Sequence, residues 1–154
     1  MKLNVKRIPV DGETMQGVEP PAIMELNDAV DVRFTHEVEY EFHAQVEDNA
    51  LLVTGQLRTP ATLQCSRCLK TFDWPVRVKH FVVHRELAGE DFVDLTENIR
   101  EDIILELPLR ALCRPDCRGL CTECGQDLNE KVCHCTPARG ELRWQALDQI
   151  KLKR

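Results

Sequence analysis

At 154 residues, 43% of them hydrophobic and 30% charged, the chain is long and apolar enough for one domain with a real core, or one domain with a small appendage, and too apolar for disorder. A net charge of -6 sets the molecule as a whole against a phosphate backbone. No stretch approaches the roughly 18 apolar residues of a membrane span, and MKLNVKRIPVDGETM lacks the charged, apolar, then small order of a secretory signal, so a cytoplasmic location is expected.

Leu3, Val5 and Ile8 offer a short first strand, and residues 9–29, rich in Pro, Gly and acid, read as a loop with room for one helical turn. From Val30 the period is two. Val30, Val32, Phe34, Val38, Tyr40, Phe42, Ala44 and Val46 alternate with Asp31, Arg33, Glu37, Glu39, Glu41 and Glu47, which predicts one long half-buried strand with an acidic outer face. Glu47-Asp48-Asn49 supplies a turn, and Leu51, Val53 and Leu57 resume the alternation with Gly55 as a candidate bulge. Ala61, Leu63 and Cys65 continue it. Phe72, Trp74, Val76, Val78, His80 and Val82 then alternate along a further strand, so CSRC at 65–68 occupies a hairpin turn and the first two-thirds form an antiparallel sheet or partly closed barrel. His80 and His84 share a strand face rather than forming a helical ligand pair.

Near Asp94 the period changes. Leu95, Ile99, Ile103, Ile104 and Leu107 repeat at three and four, Asp94 with Glu97 has the form of a capping box, and Pro108 ends the run, which predicts one amphipathic helix covering the sheet. After the Cys-rich stretch, Thr136 and Pro137 open a short helix with Leu142, Ala146, Leu147 and Ile150 on one face, and KLKR ends the chain as a solvated basic tail. The expected architecture is α+β. Residues 1–109 form a β-rich domain with its covering helix, and 110–154 form a Cys-rich, zinc-stabilised segment with the short helix, packed on the first part.

Eight cysteines in a reducing compartment point to metal ligation before disulfides. Their spacings are C-x-x-C at 65 and 68, C-x-x-x-C at 113 and 117, C-x-x-C at 121 and 124, and C-x-C at 133 and 135. Structural zinc takes four such ligands tetrahedrally, and two sites use every thiol. Cys121, Cys124, Cys133 and Cys135 group by proximity, which leaves Cys113 and Cys117 to meet Cys65 and Cys68 across a long separation. A rival partition makes one site from four of the six C-terminal thiols and leaves Cys65 and Cys68 free, and His134 could replace one sulfur in either scheme. Catalytic zinc needs an open position and a general base, and no H-E-x-x-H or H-x-E pattern is present. A redox dithiol at Cys65 and Cys68, with Arg67 and Lys70 lowering a thiol pKa, is a second reading; a zinc-stabilised protein-binding adaptor is a third.

The ordered set TLQCSRCLKTF, LTENIREDIILELPL and CRPDCRGLCTECGQDLNEKVCHC resembles the YceD-like family of large ribosomal RNA accumulation proteins over roughly residues 50–150. The resemblance implies a bacterial or plastid-type factor, without enzymatic activity, needed for synthesis, processing or stability of 23S ribosomal RNA and often encoded beside a large-subunit ribosomal protein. It carries over Cys65, Arg67 and Cys68 and the cluster from Cys113 to Cys135. The implied partner is large-subunit ribosomal RNA or its precursor particle, met directly or through ribosomal proteins, with no membrane and no small-molecule substrate.

Charge distribution adds one expectation. Residues 1–55 and 86–109 are each net -7, whereas 56–85 and 110–154, which hold the cysteines, are +5 and +3. If the long-range pairing holds, Arg67, Lys70, Arg114 and Arg118 cluster around the first site. They either contact phosphates or neutralise a four-thiolate zinc of formal charge about -2.

Overall fold

The computed structural model describes residues 1–26 and 31–135. In chain order the strands are β1 (Lys2–Asn4), β2 (Glu13–Glu19), β3 (Val32–Arg33), β4 (Val38–Glu47), β5 (Ala50–Gln64), β6 (Thr71–Glu86) and β7 (Phe92–Asp94), followed by the helix α1 (Thr96–Leu105). The fold is α+β, mostly an antiparallel sheet curled into a half-barrel. Among the described residues no helix is long and apolar enough to cross a membrane. The expected helix after Thr136 and the KLKR tail lie outside the described residues.

β5 is the axis of assembly. Residues 50–58 pair with β4, residues 62 and 63 pair with β3 along the same edge, and β6 pairs along nearly the whole of the opposite edge. The β4–β5 reversal places Asp48 (φ 46°) and Asn49 (φ 64°) in the left-handed region, the conformation a tight hairpin with matching twist requires and one that Asp and Asn tolerate. Odd-numbered residues of β5, including Leu51, Val53, Leu57, Ala61 and Leu63, are buried, and they meet Phe42, Val38 and Ala44 of β4 in one core. α1 closes this core with Ile99 and Ile103. Arg100 ties the helix to the turn at Pro21–Met24, donating to the Ile23 carbonyl at 2.7 Å and pairing with Glu25 at 2.8 Å.

Five expectations change. The run from Val30 to Val46 is not one strand: it divides into β3 and β4, and the break falls at His36, the one polar residue in the apolar register between Phe34 and Val38. Part of the expected loop at 9–29 is β2, which pairs with β4 over its full length. As an edge strand it buries little, so it carries no apolar alternation to read. Leu3 lies in β1, which pairs with β7 and not with the main sheet, while Val5 lies in a 3-10 turn. On β6 the buried set is Val76, Val78, Phe81 and Val83, so His80 and Val82 face out. A bulge between Gly55 and Leu57 shifts the register by one residue on β6 and inverts its faces. Finally, Ile104 is exposed, and the N-cap of α1 is Leu95, without a side-chain cap bond; Asp94, one residue earlier, accepts the Thr96 N–H at 3.0 Å, and among the described residues no bond returns from Glu97.

Gly55 is where the sheet has no room for a side chain. Phe42 and Phe81 flank it in register and stack face to face across it, with ring centroids 4.5 Å apart. A Cβ on Gly55 would lie 2.1 Å from the Glu41 carbonyl oxygen and 2.8 Å from the Phe42 ring. Gly55→Ala should therefore cost about 2 to 3 kcal/mol and lower the melting temperature by roughly 5 to 10 °C. An unchanged thermal unfolding curve would contradict that contact.

Candidate metal centres

The β5–β6 hairpin ends in CSRC. Cys65 N–H donates to the Lys70 carbonyl at 2.8 Å and Leu69 N–H donates back to the Cys65 carbonyl at 2.9 Å, with Leu69 at φ 60°. The same turn recurs in CTEC. There Cys121 N–H donates to Gln126, Gly125 N–H donates to Cys121, and Gly125 has φ 73°. Each turn folds back a C-x-x-C so that its two sulfurs point to one side, which is how a knuckle offers one edge of a tetrahedral site.

Beyond α1, Pro108 stops the helix and the chain returns to the hairpin tip. Ser66 donates both its N–H and its hydroxyl to the Ala111 carbonyl, each at 2.9 Å, which staples the residues before Cys113 onto the first knuckle. Arg67 crosses the tip to donate to the Cys117 carbonyl at 2.6 Å, and Leu120 N–H donates to the Arg67 carbonyl at 3.1 Å. Gly119 permits this approach: at φ 77°, a Cβ there would lie 2.9 Å from that same carbonyl.

The eight sulfurs resolve into two sets, Cys65, Cys68, Cys113 and Cys117, and Cys121, Cys124, Cys133 and Cys135, with the ligand atoms of each set within 4.8 Å of one another. This is the partition favoured by the spacing. His134 belongs to neither set. In the first, Cys65 and Cys117 lie 3.8 Å apart and Cys68 and Cys113 3.7 Å apart. Four sulfurs at a zinc–sulfur distance of about 2.3 Å form a tetrahedron with edges of about 3.8 Å, so the spacing fits a four-thiolate metal site. It is far beyond the roughly 2.05 Å of a disulfide. The sets differ in burial. Three thiols of the first are buried, packed by Phe72, Leu112 and Leu120, whereas Cys124 and Cys135 of the second are exposed.

Electrostatics within each set is uneven. Burial opposes ionisation of Cys65, but backbone N–H groups of Cys113, Cys68 and Arg67 outweigh it and hold the thiol down to about 6. Backbone N–H groups of Cys124 and Glu123 hold Cys121 at about 7. Burial and the thiols of Cys68 and Cys117 push Cys113 up to about 12, and the Cys124 thiol with burial pushes Cys135 up to about 12. Sulfurs this close cannot all ionise against one another unaided. A dication at their centre reverses the sign of that interaction.

The two sets are joined by polar contacts that residue spacing did not announce. Asn129, in the loop of the second set, donates to the Cys117 sulfur at 3.5 Å and accepts from Arg118 N–H and from the Arg114 guanidinium, both at 2.8 Å. Asp127 receives the N–H of Asn129 at 2.8 Å and its side-chain amide at 2.7 Å, and pairs with Lys70 at 2.8 Å. Lys70 also reaches Glu130 at 2.5 Å. Lys70 and the Asn129 N–H hold the Asp127 carboxyl down to about 2, and the two carboxylates push Lys70 upward. The string D-L-N was visible in the sequence, but its role depends on a fold that brings residue 129 against residue 117.

Of the four cations expected to cluster, Arg67, Lys70 and Arg114 are therefore committed to bonds within the centre, while the Arg118 side chain is exposed. If the exposed set exchanges its metal freely and Asn129 braces the buried one, a chelator should strip zinc-loaded protein in two phases of equal amplitude. Asn129→Ala should leave the fast phase unchanged and speed the slow one by about tenfold. A single phase, or a slow phase indifferent to Asn129, would show that the contact supports nothing.

A family model described as "Large ribosomal RNA subunit accumulation protein YceD" matches residues 78–151. An uncharacterized protein of Mycobacterium tuberculosis is 28% identical over 144 residues, covering 77% of this chain and 70% of its own length. The maize chloroplast "Large ribosomal RNA subunit accumulation protein YCED homolog 1" is 41% identical over 66 residues, 42% of this chain and 20% of the plant protein. Its Arabidopsis thaliana namesake is 37% identical over 43 residues, 28% of this chain and 13% of its own. No solved structure matches the chain. Over residues 78–151, which take in α1, Cys113 and Cys117 of the first cysteine set and all of the second, the chain is similar to the YceD-like family.

Proposed function

We propose that the protein is a non-catalytic factor in the accumulation of large-subunit ribosomal RNA, acting at the synthesis, processing or stability of 23S RNA, with two structural zinc ions in its four-cysteine sites. The observation that carries the zinc assignment is the closed geometry of the two sets: four soft ligands leave a tetrahedral ion no open position for substrate, and thiolates suit zinc. The role in ribosomal RNA rests on the family match and on the printed names of the plant relatives. Its partner on this reading is the RNA or a precursor particle that contains it. Cys65 and Cys68 serve as ligands in this account and not as a redox couple, and they sit between two strands, without the helix N-terminus that stabilises a redox thiolate.

The protein so built is a β-rich body of residues 1–109 onto which zinc fastens residues 110–135. Its metal would be part of its folding free energy. Purified protein should be colourless, as zinc requires and four-thiolate iron does not, and should hold two zinc ions per chain. Cys117→Ser should reduce this to one and melt residues 113–120 from the hairpin tip. In cells depleted of the protein, the ratio of mature 23S to 16S RNA should fall severalfold and be restored by the wild-type chain but not by Cys117→Ser. An unaltered ratio on depletion would refute the functional reading.

A further inference from the structure

Cations without an ion-pair partner among the described residues lie on the sheet as well as at the cysteine sites. Arg77 and Lys79 of β6 form no ion pair with any described residue, and both lie on the outer face of the sheet. Arg58, on the central strand β5, stands directly opposite Arg77 in register. Like charges so placed repel and destabilise a sheet. Glu39 is opposite Arg58 on the other side, yet the two form no ion pair within 4 Å. Instead Gln56 accepts from the Arg58 guanidinium at 3.1 Å while donating to Glu41 at 2.6 Å. That relay holds Arg58 on the outer face beside Arg77. Guarding an edge strand would account for charges on β6, but not for an arginine on the central strand.

The β-bulge adds shape to the charge. By inserting a residue on β6 it exposes both Lys79 and His80 opposite Gln56, and an open hollow of about 500 Å³ lies between them and His43, over the backbone of Gly55. His43 is positioned by Thr14, whose hydroxyl lies 3.2 Å from its Nδ1. The hollow thus has Gln56, His43, His80, Lys79 and Thr14 as hydrogen-bonding walls, Glu41 as its one acidic wall on the β4 side, and a cationic margin on its β5–β6 side.

We propose that this outer face, through Arg58, Arg77, Lys79 and His80, binds a single strand of RNA, its phosphates along the β5–β6 margin and one nucleotide in the hollow over Gly55. The proposal rests on the ribosomal RNA reading above and deepens it by moving the contact away from the cysteine sites. Charge complementarity selects the occupant: phosphates relieve the Arg58–Arg77 repulsion, and Lys79 adds a third cation to the same face of a protein of net charge -6.

The test uses full-length, zinc-loaded protein and protein-free 23S RNA as the probe, with binding measured between 50 and 200 mM salt. Arg58→Gln, Arg77→Gln and Lys79→Gln combined should weaken binding at least tenfold and flatten the slope of log K against log salt by about 2, as expected for three lost single-strand phosphate contacts. Zinc content and melting temperature verify that the variant is folded. Arg118→Gln, which removes the exposed knuckle cation, should have little effect. Loss of binding in this variant and not in the triple variant would overturn the proposal in favour of the knuckles, and so would wild-type protein that leaves the RNA unbound at 50 mM salt. Depleted cells separate the two readings: if the triple variant restores the 23S level in full, the surface is wrong and the ribosomal RNA role stands. If depletion leaves 23S untouched while the triple variant loses RNA binding, the surface stands and that role falls.

Discussion

The meeting of the hairpin tip with the segment after α1 is the constraint on which the architecture depends. β5 and β6 run well past the part of the sheet that β4 covers; from Thr59 onward only the two residues of β3 lie beside them. Two prolines face each other there, Pro60 and Pro75, and neither brings an N–H to the ladder. The buried cluster at this end is small: Cys65, Cys68 and Cys117, with Phe72, Leu112 and Leu120 around them. Hydrophobic burial on that scale is weak compared with a four-thiolate metal site, whose apparent contribution is on the order of 10 kcal/mol. A chain that closes a contact between residues 65–68 and 113–117 at a thinly packed end needs a strong cross-link, and the sulfurs are placed to receive one.

Charge follows from the same constraint. Each filled set carries a formal charge of about -2, so cations close to it are stabilised and directed inward. Arg67 binds the carbonyl of a ligand residue, Arg114 binds the asparagine that touches a ligand sulfur, and Lys70 binds the two acids of the neighbouring loop. The local excess of positive charge around the cysteines thereby becomes part of the centre's own balance. The outer-face cations have no comparable employment, and the distinction between the two groups exists only in three dimensions.

Much of this was legible from period and spacing. The hairpins at 47–49 and 65–70, the helix from Asp94 to Pro108 and the division of the thiols into two fours all follow from local patterns with strong physical causes. What escaped was of another kind. β2 is held by its neighbour and not by its own alternation; the break at His36 depends on both halves finding the same edge of β5; and the inverted face of β6 comes from one residue inserted at a bulge. Asn129 could be seen as a residue and not as a partner of Cys117, because nothing local links positions 129 and 117.

The two knuckles show how far support from the surroundings can override local preference. They share one turn with one backbone pattern, and the fifth residue of each must adopt positive φ. The exposed site uses Gly125, for which that conformation carries no steric penalty; the buried site uses Leu69, for which it costs on the order of 1 kcal/mol. The leucine is sustained by what the first site has and the second lacks: two long strands leading into the turn, a double staple from Ser66 to Ala111, and the Arg67 link to Cys117. Strain persists where the structure over-determines it. The same features that pack the first set allow its turn to carry a side chain, so Leu69 marks the knuckle that its surroundings hold in place and Gly125 the one that relies on glycine's own conformational freedom.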